Sequence, residues 1–164
     1  MRLSKFTIVF GLYIIISASF ARQVWDFFNR IAGQNNARLT VVLLFCVFGA
    51  FMLIYVFKSA CSLPGKILKI VILCLALAYA AHLKIFVEKI HLLEYGFLGW
   101  LSLRDLSKNS RLLKASLLAV LFVSLVGVAD EAFQRFLPYR VAEIRDVTTN
   151  VISGLLGVAF LLFR

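Results

Sequence analysis

The chain has 164 residues, 62% of them hydrophobic, and its 18 Lys and Arg outweigh eight Asp and Glu for a net charge of +10. Ordinary globular chains are about 45–50% apolar, so a soluble domain of this length has too little interior to hide such a composition. A basic balance alone would suit nucleic acid, but a mean hydropathy of +0.95 points to a bilayer instead, and no nucleic-acid partner is expected. Disorder, a fibrous repeat and a disulfide scaffold are excluded as well. The three cysteines, Cys46, Cys61 and Cys74, are odd in number, lie in or beside apolar stretches and lack metal-ligand spacing.

A spanning helix needs about 20 mostly apolar residues. The first candidate is residues 6–21, FTIVFGLYIIISASFA, behind Arg2 and Lys5. It also has the form of a signal peptide, with Ser19 and Ala21 suiting a small-residue cleavage site, but it is taken here as the first span. Residues 22–38 follow, where Trp25, Phe28 and Ala32 recur at helical spacing among Arg22, Asp26 and Arg30 before Gly33-Gln34-Asn35-Asn36 breaks the pattern. Two readings fit: an amphipathic helix in the headgroup region with Trp25 at the interface, or a helical extension of the first span.

Residues 39–57 carry no charge and form the cleanest span. After the turn Ser62-Leu63-Pro64-Gly65 come residues 67–83, then the shorter 90–103, then 112–129 with Lys114 able to snorkel from one end, and finally 147–163. The expected fold is therefore an all-α polytopic transmembrane bundle of about six spans, or five if one fails. It divides into residues 1–83, with three spans and the 22–38 segment, and residues 84–164, with three more. Six spans put both termini on one side, which carries ten Lys and Arg against eight on the other. The positive-inside rule then places both termini in the cytoplasm. Of the eight acids, Asp105 alone lies on that side.

Polar residues near apolar runs concentrate in two stretches. In Glu88-Lys89-Ile90-His91-Leu92-Leu93-Glu94-Tyr95, helical spacing puts Glu88, His91 and Tyr95 on one face with Glu94 flanking it. In residues 130–150, Asp130 and Gln134 are one turn apart with Glu131 beside them, and Pro138 breaks the helix. Asp146, Asn150 and Ser153 then line one face of the last span, continuing to Gly157, and Ser153 with Gly157 has the small-xxx-small spacing of close helix packing. Both stretches fall at the same membrane surface. Ionisable groups at membrane depth cost roughly 2.5–3.5 kcal/mol each on insertion scales, so they pair or line polar cavities. Glu88, Glu94, Asp130, Glu131 and Asp146 have Lys89, Arg135, Arg140 and Arg145 as candidate partners. Arginine grips phosphate or carboxylate through paired hydrogen bonds, and histidine can shuttle protons. Plainer roles stand beside these: His91 as a helix cross-link, Asp130 and Glu131 as span-end charges, Asn150 and Ser153 as interhelical glue, and Arg104, Lys108, Arg111 and Lys114 as topology determinants.

Taken together, these pieces resemble the VanZ-like family of small polytopic membrane proteins. The matching residues are Glu88-Lys89, His91, Tyr95 and Leu98-Gly99, then Asp130-Glu131 with Gln134, Pro138 with Arg140, Asp146 with Asn150, and Gly154 with Gly157. The family usually has Asp where this chain has Glu88, and commonly Gly where it has Tyr139. The resemblance covers roughly residues 84–164. It implies a bacterial envelope protein, multi-pass in the cytoplasmic membrane, in a family named for teicoplanin resistance and without an established reaction.

The leading expectation is a protein that binds or modifies an anionic lipid or lipid-linked glycan, such as a polyprenyl-phosphate conjugate, at the outer face. Lys89, Arg140 and Arg145 would grip phosphate, with Tyr95, Gln134, Asp146 and Asn150 completing the binding set, while His91 and the acids Glu88, Asp130 and Glu131 orient the ligand. An enzyme reading makes His91 the general acid or base, tuned by Glu88 or Asp130. It would be a membrane-embedded hydrolase or transferase, although no Ser or Cys stands beside a base as a nucleophile. No cofactor is expected, no metal spacing is evident, and a divalent ion assembled from distant residues stays open. A small lipid transporter or flippase, lacking internal repeats, and a structural subunit of a membrane complex are the alternatives.

Overall fold

A computed structural model describes residues 2–83, 86–137 and 143–163, with the side chains of Phe86 and Val87 left aside. The described residues are all-helical, with no strand: α1 (Lys5–Ser17), α2 (Ala21–Ala32), α3 (Gln34–Lys58), α4 (Leu63–His82), α5 (Phe86–Leu106), α6 (Leu112–Gln134) and α7 (Ile144–Leu162). Each start has a local cause. Ser4 caps α1 by accepting a hydrogen bond from the Thr7 amide at 3.2 Å. Gly33, at φ 79°, adopts a backbone that other residues resist and separates α2 from α3. Pro64 sits in the first turn of α4, where its missing N–H costs nothing.

Four helices, α3, α4, α6 and α7, are long and apolar enough to cross a membrane. The pair α1 and α2, bent by 66°, makes a fifth when counted as one span. This revises the expectation in two places. The first span, read over residues 6–21, is a helix of only 13 residues, about 20 Å long at 1.5 Å per residue, well under the roughly 30 Å of hydrocarbon. The fourth, read over residues 90–103, is a longer helix of 21 residues carrying Glu88, Lys89, Glu94, Arg104 and Asp105, too charged to qualify by composition. The segment read over 22–38 divides at Gly33. Its first part, α2, buries no residue and leaves Val24, Phe27 and Ile31 exposed, while Gln34 to Arg38 already belong to α3.

The charges of α5 are tolerated because this helix is the middle of the bundle, packed chiefly on α7 and α6 and flanked by α1, α3 and α4. Tyr95, Leu98, Leu101 and Leu103 on α5 are fully buried. Contacts also give the helix directions. Glu88 meets Arg145 at the starts of α5 and α7, and Leu103 and Leu106 meet Val158 and Leu161 at their ends, so the two helices run parallel. Thr7 of α1 reaches Asp105 while Ile14 packs with Tyr95 and Leu98, so α1 runs antiparallel to α5. Likewise Lys69 lies over Phe160 and Tyr79 reaches Thr149, so α4 runs antiparallel to α7.

Glycines make the α5–α7 crossing. A methyl group at Gly157 would collide with the Gly96 carbonyl, lying 3.1 Å from Gly96 Cα, and one at Gly99 would lie 3.2 Å from Gly154 Cα. Gly154 in turn has no room for a methyl beside Val123 of α6. Because backbone, not a flexible side chain, fills the space at Gly99 and Gly157, Gly157→Leu should separate α5 from α7. The expected result is loss of the monodisperse peak in fluorescence-detected size-exclusion chromatography, whereas Gly49→Leu, where no heavy atom lies within 4 Å, should behave as wild type.

Candidate functional site

Parallel packing of α5 and α7, with α6 returning antiparallel between its flanks, brings three helix termini together. The start of α5, the end of α6 and the start of α7 meet at one end of the bundle. The two polar stretches separated in sequence by about 35 residues therefore become one site, as Tyr95 and Asp130 show.

Asp130 is fully buried at its centre. It accepts hydrogen bonds from the Tyr95 hydroxyl at 2.9 Å and from Gln134 Nε2 at 3.2 Å. Gln134 Nε2 also donates to Glu131 Oε1 at 3.2 Å, and the backbone amide of Glu143 donates to Glu131 Oε2 at 3.3 Å. The two acids are thus held by neutral donors from α5, α6 and the segment entering α7. A buried carboxylate without such donors would be far more costly. Glu88, also buried, is met by the Arg145 guanidinium, whose own side chain is 55% exposed and so stands at the rim.

His91 points elsewhere than the sequence suggested. Its Nδ1 lies 3.6 Å from Glu94 Oε2, and its ring is 6.0 Å from that of Tyr95. At that distance Glu94 faces the ring without a hydrogen bond to Nδ1, while Glu88 is met by Arg145 and Asp130 by Tyr95 and Gln134. Lys89 is half-buried on the same helix, and Asp146 half-buried in the first turn of α7. Arg140 and Pro138 lie outside the described residues. Ser153 is buried and bonds back to the Thr149 carbonyl at 2.6 Å, so its hydroxyl serves its own helix. Thr149 Oγ1 in turn lies 3.2 Å from the Tyr79 hydroxyl of α4.

Asn150 is the exception among these groups. It is 1% exposed, yet among the described residues neither its amide nitrogen nor its oxygen has a hydrogen-bond partner. Asn150 and Tyr95 both lie against Gly127, one turn before Asp130, where a methyl group would come within 3.2 Å of Asn150 Cβ and 3.6 Å of Tyr95 Cε1. An unmatched buried amide costs about 1–3 kcal/mol, so this position calls for a water or a ligand group. Among the described residues no three His, Cys, Asp or Glu are arranged to hold a metal ion.

A second polar cluster, at the opposite end of α5, was not foreseen. Buried Asp105 accepts from the Ser4 amide at 3.0 Å, from Thr7 Oγ1 at 2.5 Å and from Arg104 Nη2 at 3.1 Å, with Lys108 Nζ at 3.9 Å. It ties the start of α1 to the end of α5. The signal in the sequence was its isolation: one acid among ten basic residues, facing a threonine in the first apolar segment.

The assembled cluster is that of a helical membrane protein with buried carboxylates gathered at one end of a glycine-crossed three-helix core, α5 to α7. A family model for VanZ/LLP1 matches residues 6–164, nearly the whole chain, and the protein belongs to that family. The match extends the likeness seen over residues 84–164 through α1 to α4. No curated protein and no solved structure matches the chain.

Tyr95→Phe deletes one donor to Asp130 without changing shape. It should lower stability by about 1–3 kcal/mol, measured by reversible unfolding in mixed detergent micelles. Retention of wild-type stability would show that Asp130 does not depend on this bond.

Proposed function

We propose that this VanZ/LLP1-family protein binds the head group of a lipid-linked glycan in the pocket formed by α5, α6 and α7, at the outer face of the bacterial cytoplasmic membrane. The observation that carries the reading is the combination of buried acceptors with an unmatched amide. Asp130 and Glu131 line a wall beside Asn150, whose side chain can both donate and accept. Sugar hydroxyls donate to carboxylates and exchange hydrogen bonds with amides. A bare phosphate would meet repulsion from the same wall.

Phosphate fits the rim instead, where Arg145 is exposed; Lys89 on α5 is a second candidate, and Arg140 lies outside the described residues. His91 with Glu94, and Asp146, then border the sugar. Such a pocket also fits the glycopeptide-resistance association that the family's name carries.

The topology belongs to the same proposal. Helix directions alternate between the two ends of the bundle from α1 through α3, α4, α5, α6 and α7, as six crossings require, with the bent α1–α2 pair forming the first. Lys58, Lys66, Arg104, Lys108 and Arg111 gather at the end away from the pocket. By the positive-inside rule that end, with both termini, is cytoplasmic. The amphipathic α2, with its exposed Val24, Phe27 and Ile31, then lies in the outer headgroup region.

The test uses the detergent-purified chain and two ligands of equal lipid length, a polyprenyl-diphosphate disaccharide and the sugar-free polyprenyl phosphate. Asn150→Ala and Asp130→Asn should each weaken the glycan ligand about tenfold, the worth of one good hydrogen bond, and leave the sugar-free ligand unchanged. Arg145→Ala should weaken both. Equal affinity of wild type and Asn150→Ala for the glycan ligand would sink the reading.

A further inference from the structure

The other end of the bundle holds a different kind of cleft. Lys69, seven residues into α4, is 2% exposed, and its ammonium lies 5.5 Å from the centre of the Tyr55 ring and 5.8 Å from that of Phe160. Its nearest polar partner is Cys61 Sγ at 3.6 Å, and among the described residues no carboxylate lies within 4.0 Å of it. A buried ammonium normally has an anionic partner or loses its charge, and aromatic faces supply only part of that compensation.

Lys69 forms the floor of a cleft of 640 Å³ walled by Tyr55, Lys58, Ser59, Trp100 and Arg104. The wall is donor-rich. Trp100 Nε1 is buried without an acceptor among the described residues, and Arg104 stacks 5.4 Å above the Trp100 ring while bonding Asp105. The hydrogen bond between Ser59 Oγ and Cys61 Sγ, at 2.9 Å, and the nearby Lys69 charge hold the Cys61 thiol below its ordinary pKa, the response of an acid in a positive field.

Trp100 also closes one end of a second, apolar cavity of 210 Å³ between α3, α4, α5 and α7, lined by Phe48, Met52, Leu73, Gly96, Leu156 and others. It follows α5 from Trp100 to Leu92, about 12 Å at helical rise. An apolar groove ending at unneutralised positive charge has the two halves of an anionic lipid: chain and phosphate.

We infer that the cleft at Lys69 is a phospholipid site in which the phosphate of an anionic lipid neutralises Lys69, aided by Trp100 and Lys58, while one acyl chain fills the groove between α3, α4, α5 and α7. The site is separate from the glycan pocket, at the other end of α5, and does not rest on that reading. The basic end of a membrane protein faces the leaflet richest in anionic lipid. Annular lipid would be held anywhere along the apolar surface, whereas this site discriminates by head-group charge.

Native mass spectrometry of the full-length protein from detergent containing equimolar phosphatidylglycerol and phosphatidylcholine tests this. Wild type should retain phosphatidylglycerol about tenfold over phosphatidylcholine, whose choline cation is repelled by Lys58 and Lys69 at the cleft. Lys69→Met, which fills the same space without charge, should abolish the preference. Lys69→Arg should keep it. No preference in wild type, or an unchanged preference in Lys69→Met, would overturn the site. Displacement of the lipid by millimolar inorganic phosphate would overturn the lipid assignment in favour of a free anion.

Discussion

The polar cluster around Asp130 depends on how closely α5 and α7 can approach. In a bilayer the lipid tails compete equally well for apolar side chains, so helices associate through packing, not hydrophobic expulsion, and small residues permit it. Here Gly96 and Gly99 of α5 face Gly154 and Gly157 of α7 with their backbones in contact, and Gly154 receives Val123 of α6. Any side chain at Gly99 or Gly157 would meet the facing backbone and force α7 away from α5. The Glu88–Arg145 pair and the Glu143 amide bond to Glu131 would then lose their geometry together, because they are all carried by the same rigid helix.

The close crossing in turn makes the buried charges supportable. Asp130 is surrounded by groups that donate to it, and the tyrosine that does so comes from the neighbouring helix at the level of the glycines. Gln134 divides its amide between two carboxylates, which keeps both near α6. Burying a like-charged pair this way opposes stability, and replacing such polar clusters by apolar side chains is often stabilising. Beside these acids the buried amide of Asn150 has no hydrogen-bond partner among the described residues, and the proposed ligand would supply one.

Much of this was legible in the sequence because it is local. Apolar length defines the spans of α3, α4, α6 and α7, Pro64 and Gly33 mark their interruptions, and helical periodicity puts Glu88 and Tyr95 on one face. The association of the two polar stretches was legible from the alternation of spans, which sends their ends to the same surface. What could not be read was pairing across helices. Nothing in the spacing of His91 favours Glu94 over Glu88, since both lie three residues away, and rotamers decide. Asp105 stood out only as the one acid on its side, and its partners Ser4 and Thr7 come from a segment about 100 residues away. Lys69 looked like an orientation signal, because its burial depends on Tyr55 from α3 and Phe160 from α7. The charges of α5 follow from its place in the bundle: a helix sheltered by five others need not be apolar all round.

The two ends of α5 are chemically opposite, and this asymmetry is more than an orientation device. At one end buried carboxylates and an amide present acceptors, with the guanidinium of Arg145 outside them. At the other, Asp105 is consumed by α1 and Arg104, leaving Lys69 and Trp100 to present donors. Between them runs a single helix of 21 residues, about 31 Å at helical rise and so matched to the hydrocarbon thickness of about 30 Å. The glycine crossing lies midway along this helix, so the two chemically opposite ends are held in one register by backbone contact between α5 and α7, with no polar connection needed between them.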